Sequence, residues 1–207
     1  MPAKRSARKK VKKLALTVVA PESLGSVELL PILVSSPEEA INRTYECLLY
    51  DITEDMQHQT IKLKLRVVRA DEEKAYTVYA GHEYLREYLR SLIIRGTSYV
   101  DIIRDVETKD GVKYRVRVNV FTVRRINTSK KSAIRKITFE YLDKRSKEID
   151  NDAFIKEMLF GKTSADILAR VKKICPIRHV GIVKVKLLSD PLKLAEISYA
   201  SGAPSSG

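Results

Sequence analysis

The stretch SYVDIIRDVETKDGVKYRVRVNVF, residues 98–121, decides the fold. Two β-rich runs, 98–107 and 112–121, flank Asp110-Gly111, a dipeptide that supplies the turn of a hairpin. On the second run Val112, Tyr114, Val116, Val118 and Val120 face one way, while Lys113, Arg115 and Arg117 face the other. That alternation predicts a half-buried strand with a basic outer face. It slips by one residue at Val120-Phe121, the mark of a bulge or a strand end.

Further strands are predicted on both sides. LALTVVA (14–20) and VELLPILV (27–34) are apolar runs closed by Pro21 and by Ser36-Pro37. YECLLYDI (45–52) is another candidate. IKLKLRV (61–67) alternates Ile61, Leu63, Leu65 and Val67 against Lys62, Lys64 and Arg66, and its basic side reads as a solvated sheet face. HVGIVKVKLL (179–188) is the final strand.

Helical spacing predicts about four helices. HEYLREYLRSLIIR (82–95) carries a stripe of Tyr84, Leu85, Tyr88, Leu89, Leu92 and Ile93, with Gly96 as its C-terminal cap. A helix over 130–148 buries Ile134, Ile137, Tyr141 and Leu142, with Ser129 as N-cap. Shorter helices follow near 152–160 and at 164–174, the latter with the capping-box spacing of Thr163 and Asp166 and a stop at Pro176. The architecture expected is one mostly antiparallel α+β domain over 14–190. It sits between a disordered basic arm, 1–13, and a flexible polar tail, 191–207.

Charge is the strongest functional signal. The chain holds 39 Lys and Arg against 26 Asp and Glu, a net of +13. Residues 1–13 contribute seven cations and no acid: Lys4, Arg5, Arg8, Lys9, Lys10, Lys12 and Lys13. Residues 117–136, RVNVFTVRRINTSKKSAIRK, contribute seven more without an acid: Arg117, Arg124, Arg125, Lys130, Lys131, Arg135 and Lys136. Together these segments carry +14, so the remaining 25 basic and 26 acidic residues are nearly neutral. Two concentrated patches on a neutral body point to a polyanionic partner.

The internal patch crosses from a strand into a helix and puts Lys130 and Lys131 in the first helical turn, where the macrodipole disfavours cations. A phosphate near that turn reverses the preference, because exposed amides and flanking cations converge on one anion. The fourteen basic residues named above are the candidate RNA-binding residues. Neither patch interleaves the bulky apolar residues of an interfacial helix, so a membrane is not the expected partner.

Other chemistries find no support. The eight glycines lie too far apart for a dinucleotide fingerprint or the clamp loop of a KH domain. Gly161-Lys162-Thr163 resembles the end of a P-loop, but the first glycine of that motif would fall on Lys156. His82-Glu83 begins a zinc-protease pattern whose second histidine position is Arg86. Cys47 and Cys175 show neither a disulfide framework nor metal spacing, which fits a reducing compartment. No catalytic residue, metal or cofactor is expected. The apolar runs are too short to span a bilayer, so a cytoplasmic location is expected.

The order of segments carries a resemblance. The stretch 80–136, from AGHEYLREYLRSLIIRGTSYV through KSAIRK, resembles the archaeal and eukaryotic small-subunit ribosomal protein family known as S-three-Ae, or eS-one. CPIRHVGIVKVKLL (175–188) is similar too, and the overall length suits an archaeal member. LALTVVAP lacks the Trp-Tyr pair that the family often carries there. The resemblance implies a β-rich, barrel-like core with helices alongside. It also implies a structural ribosomal-RNA binder among other small-subunit proteins, on the platform near the 3′ end of the RNA and the messenger exit. Messenger RNA is a further candidate partner. The competing reading of the same charge is a free nucleic-acid-binding regulator of translation.

Overall fold

The computed structural model describes residues 13–190. Eight strands are present: β1 (Leu14–Val19), β2 (Glu28–Val34), β3 (Thr44–Leu48), β4 (Ile61–Ala70), β5 (Lys74–Tyr84), β6 (Tyr99–Glu107), β7 (Lys113–Thr122) and β8 (Ile177–Leu187). Five α-helices accompany them: the single turn α1 (Tyr50–Thr53), α2 (Arg86–Leu92), α3 (Thr128–Glu148), α4 (Asn151–Leu159) and α5 (Lys162–Val171). All strands join one sheet in the order β2-β1-β5-β8-β7-β6, with β4 also on β5 and β3 on β4. Every pairing is antiparallel except β1 with β5.

The α+β, mostly antiparallel class is therefore present, and the sheet of the described residues is not closed into a barrel. Among the described residues no ladder closes the sheet, and it forks at β5 instead. The start of β5 pairs with β1 through Lys74–Tyr76, and its end pairs with β8 through Gly81–Glu83. The fork depends on a glycine. At Gly81 φ is +146°, and a Cβ there would stand 2.1 Å from the Val185 carbonyl oxygen.

The predicted hairpin forms as written, with β6 and β7 in register from Tyr99↔Phe121 to Glu107↔Lys113. Val112, Tyr114, Val116, Val118 and Val120 are all buried. The slip at Phe121 is a bulge, since Phe121 pairs with His179 but Thr122 with Ile177. Helices α3, α4 and α5 cover this face, and Ile134, Leu142, Phe154 and Ile167 bury themselves against the valines. Tyr114 stacks on Phe154 at 5.3 Å and donates to Asn151 Oδ1 at 2.6 Å.

The outer face is an ion ladder. Glu46 bridges Lys62 and Lys64, and Lys64 reaches Glu83, which also holds Lys184 at 3.1 Å. The basic side of 61–67 is thus a solvated face whose two lysines are paired.

Several local expectations yield to tertiary pairing. The helix predicted over 82–95 is only α2, because His82, Glu83 and Tyr84 are drawn into β5 by their partners Leu63, Lys62 and Ile61 on β4. Its end is capped at Ile93, and Gly96 serves the following turn at φ +81°. Strand β5 itself, with Ala75, Thr77 and Tyr79 inward, went unpredicted. Residues 50–52 of the 45–52 strand candidate turn into α1 once β3 ends at Leu48. The N-cap of α3 is Asn127, not Ser129, and it makes no side-chain capping bond. The Thr163–Asp166 capping box does not form. Gly161 is the N-cap in the left-handed region, Thr163 is fully buried, and Asp166 accepts the Tyr141 hydroxyl instead. The arm and tail, apart from Lys13, lie outside the described residues.

Two predictions follow from β5. Replacing Gly81 with alanine should cost more than about 2 kcal/mol, since the clash is with backbone and the φ value is strained; denaturant unfolding measures this. His82 is buried with Nδ1 2.6 Å from the Tyr79 hydroxyl, and burial lowers its pKa to about 4 against the opposing Ile182 carbonyl. Because the folded value lies below the unfolded one, the unfolded chain binds the proton first as pH falls. The stability from neutral His82 is therefore complete above about pH 6.5 and is lost progressively toward pH 4. That loss, about 3 kcal/mol, should be missing from the pH profile of a His82→Gln variant.

Candidate nucleic-acid interface

The basic junction is built from the end of β7, a five-residue connection, and the start of α3. Its backbone is pinned from two sides. Thr122 Oγ1 accepts the Ser98 amide at 2.9 Å and donates to the Arg124 carbonyl at 2.6 Å, with the Ser98 carbonyl at 3.0 Å. The Ile126 amide donates to Ser98 Oγ at 3.1 Å, and the Val123 amide to the Pro176 carbonyl at 3.1 Å. Ser98 and Thr122 are both buried, so these bonds are shielded from water. The connection is a fixed shelf rather than a loose loop.

Arg124, Arg125 and Lys130 stand exposed on the shelf, with Lys131 half-buried beside them. Lys130 is close enough to Cys175 for its ammonium to oppose the upward push that burial gives the Cys175 thiol. That places the turn before β8 near the start of α3. The exposed Lys172 and Lys173 on that turn therefore extend the same basic surface. Sequence reading passed them over, because a Lys pair at a helix C-terminus is what the macrodipole favours anyway. Their signal lay in the tertiary contact between Pro176 and Val123. Arg95, exposed in the segment leading to Ser98, was passed over in the same way.

No salt bridge among the described residues involves Arg124, Arg125, Lys130, Lys131, Arg135 or Lys136. The neighbouring strand cations differ sharply. Arg117 grips Asp101 with two bonds of 2.9 and 2.7 Å, Arg115 grips Asp105 with 2.7 and 2.8 Å, and Arg104 grips Asp143 with 3.0 and 2.8 Å. Arg117 is thus engaged within the protein. Turned with its nitrogen toward Asp101 and its oxygen toward the Tyr99 hydroxyl, the buried Asn119 amide supports the same pair at 2.9 Å on each side.

The remaining candidates are dispersed. Arg135 leans toward the sheet, with Nε 3.4 Å from the Asp101 carbonyl. Lys136 is exposed and lies about 120° around α3 from Lys130. Lys13 is exposed at the start of β1, which β5 and β8 separate from β7. Lys4, Arg5, Arg8, Lys9, Lys10 and Lys12 lie outside the described residues.

Aromatic side chains near the shelf are mostly committed to packing. Phe121 and Tyr114 are buried, and Phe121 contacts Tyr99 at 5.5 Å and His179 at 6.2 Å. Tyr84, whose ring lies over Gly181, meets Tyr88 edge-on at 5.4 Å. The surface therefore offers cations and backbone amides rather than a row of stacking platforms, an arrangement for phosphate contacts. Among the described residues, no cluster of three His, Cys, Asp or Glu is placed to hold a metal ion. No helix among them is long and apolar enough to cross a membrane.

Comparison with known proteins agrees with the resemblance seen in the sequence. The family described as Ribosomal S3Ae matches residues 3–191. The small ribosomal subunit protein eS1 of Pyrobaculum aerophilum is 43% identical over 175 residues, covering 84% of this chain and 79% of the relative. The eS1 proteins of Sulfurisphaera tokodaii and Desulfurococcus amylolyticus are each 41% identical over 84% of this chain, covering 91% and 82% of those relatives. By the extent of the family match and the identity to these archaeal proteins, the chain belongs to the ribosomal S3Ae family.

Proposed function

We propose that this protein is a structural constituent of the small ribosomal subunit that binds ribosomal RNA through phosphate contacts. The observation that carries the reading is the contrast in ion pairing. Arg104, Arg115 and Arg117 on the hairpin strands are matched by carboxylates, whereas Arg124, Arg125, Lys130 and Lys131 stand together on a pinned shelf with no acidic partner among the described residues. The relatives named as small-subunit proteins supply the context.

In this mechanism residues 14–190 act as one RNA-binding unit. The shelf and the first amides of α3 take the sugar-phosphate backbone, with Lys172 and Lys173 beside them. The basic arm, 1–13, adds contacts of its own, and the tail, 191–207, takes no part in them. On the family resemblance, the seat is the platform near the 3′ end of the small-subunit RNA and the messenger exit. Neighbouring small-subunit proteins cover the neutral faces, and messenger RNA at the exit is a further candidate ligand. The location is the ribosome in the cytoplasm, and the function needs neither cofactor nor catalysis.

The test is binding to small-subunit RNA across a salt series. Six to ten phosphate contacts lose about a thousand- to a hundred-thousand-fold in affinity between roughly 50 and 200 mM salt. Changing Arg124, Arg125, Lys130 and Lys131 to alanine should weaken binding and make the salt slope shallower by about one per lost contact. An Arg115→Ala variant, which removes a paired cation of the same strand, should leave the slope unchanged. Equal slopes for the shelf variant and the wild type would overturn the assignment of the shelf.

The pinning bonds make a separate claim. A Thr122→Val variant keeps every charge but frees the connection, and should reduce RNA affinity by about threefold to tenfold through added ordering entropy. Binding measured at constant salt on the folded variant checks this.

A further inference from the structure

At the other end of the β6–β7 hairpin, one strand length of about 33 Å from the shelf, lies a groove of about 540 Å³. It opens between the β1–β2 connection, β5, the hairpin turn and the start of α4. Val19, Ala20, Val78, Tyr79, Val112 and Ile155 give it an apolar lining. Glu22, Asp110, Asp150 and Asp152 stand around it. The protein is therefore polarised along the hairpin, cationic at one end and acidic at the other.

The acids are not all engaged. Asp110 Oδ2 accepts the Asn151 amide at 2.6 Å, and Asp150 pairs with Lys109 at 3.2 Å. Glu22 and Asp152 have no cationic partner among the described residues. Ser23 also lines the groove, at 8% exposure.

We infer that this groove docks a basic segment of another protein, one that alternates apolar side chains with Lys or Arg. Apolar residues of such a segment fill the lining, its cations meet Glu22 and Asp152, and a polar atom reaches Ser23. Charge complementarity selects this occupant. The acidic rim repels RNA, and a neutral ligand would leave both carboxylates unanswered. Docking here leaves the shelf free, so a protein contact and an RNA contact can be made together.

The test uses the full-length chain and a fluorescein-labelled ten-residue peptide of alternating Leu and Arg, followed by anisotropy at low salt. A Glu22→Gln, Asp152→Asn double variant should weaken binding about tenfold, roughly threefold per lost charge. A Glu72→Gln, Glu73→Gln control, which removes two exposed acids elsewhere, should change it little. Replacing the peptide's leucines with serines should abolish measurable binding. Equal weakening in the control would reduce the effect to diffuse attraction and overturn the proposal, as would indifference to the Leu→Ser peptide. Tighter peptide binding after Leu192→Ser, Leu194→Ser would make the chain's own tail the occupant and overturn the choice of partner. An Arg124→Ala, Arg125→Ala variant should bind the peptide like the wild type, so this proposal and the RNA reading fail separately.

Discussion

Where β5 crosses β8, the Val185 carbonyl oxygen occupies the place that a side chain on residue 81 would need. This approach joins two halves of the molecule. On one side, β1 to β4 curl around Leu16, Val34, Ala40, Val67 and Ala75. On the other stand β6 to β8, and the large core under α3, α4 and α5 spans both sides, taking Val18, Leu63 and Leu65 from the one and Val116, Val118 and Ile182 from the other. Only three residue pairs, Gly81 to Glu83 against Lys186 to Lys184, make the ladder between β5 and β8. The ladder is short and lies in the middle of the molecule, so the two sides are held by these backbone bonds together with the core they share.

The proposed RNA-binding surface inherits its rigidity from that arrangement. Strand β8 brings Pro176 to the Val123 amide, β6 brings Ser98 to Thr122, and the shelf is fixed at both points. Arg178 ties the same end together by donating to the Leu92 carbonyl at 3.0 Å, where α2 finishes. The side chains that point outward from this frame are the ones with no internal partner. Arg117, on the same basic stretch, is spent on Asp101 because the hairpin register puts it opposite Ile103, with Asp101 two residues away on the same face.

How much of this was legible in the sequence depended on whether a signal was local. The hairpin, β8 and the start of the basic junction could be read because alternation, a turn dipeptide and charge are properties of adjacent residues. The helix predicted from Tyr84 and Tyr88 failed at its first turn because pairing with β4 is not local, and a stripe at helical spacing also suits a strand that ends beside a helix. Thr163 and Asp166 had capping spacing, but Tyr141, distant in sequence, claimed the carboxylate. For the site, the charge run was visible while its division was not. Nothing in RVRVNV says that Arg117 will be paired, and nothing in ARVKKICP says that the turn carrying Lys172 and Lys173 will lie near Lys130.

The Ser98–Thr122 clamp has a thermodynamic corollary. A surface that is already ordered gains no new buried apolar area when it meets a phosphate backbone. The contribution of the shelf to the heat-capacity change of RNA binding should therefore be small. A large negative heat capacity in the whole binding reaction would have to originate in segments that become structured on the RNA. Calorimetry across temperature can thus apportion binding between the rigid shelf and any segment that orders on contact, without altering a residue of either.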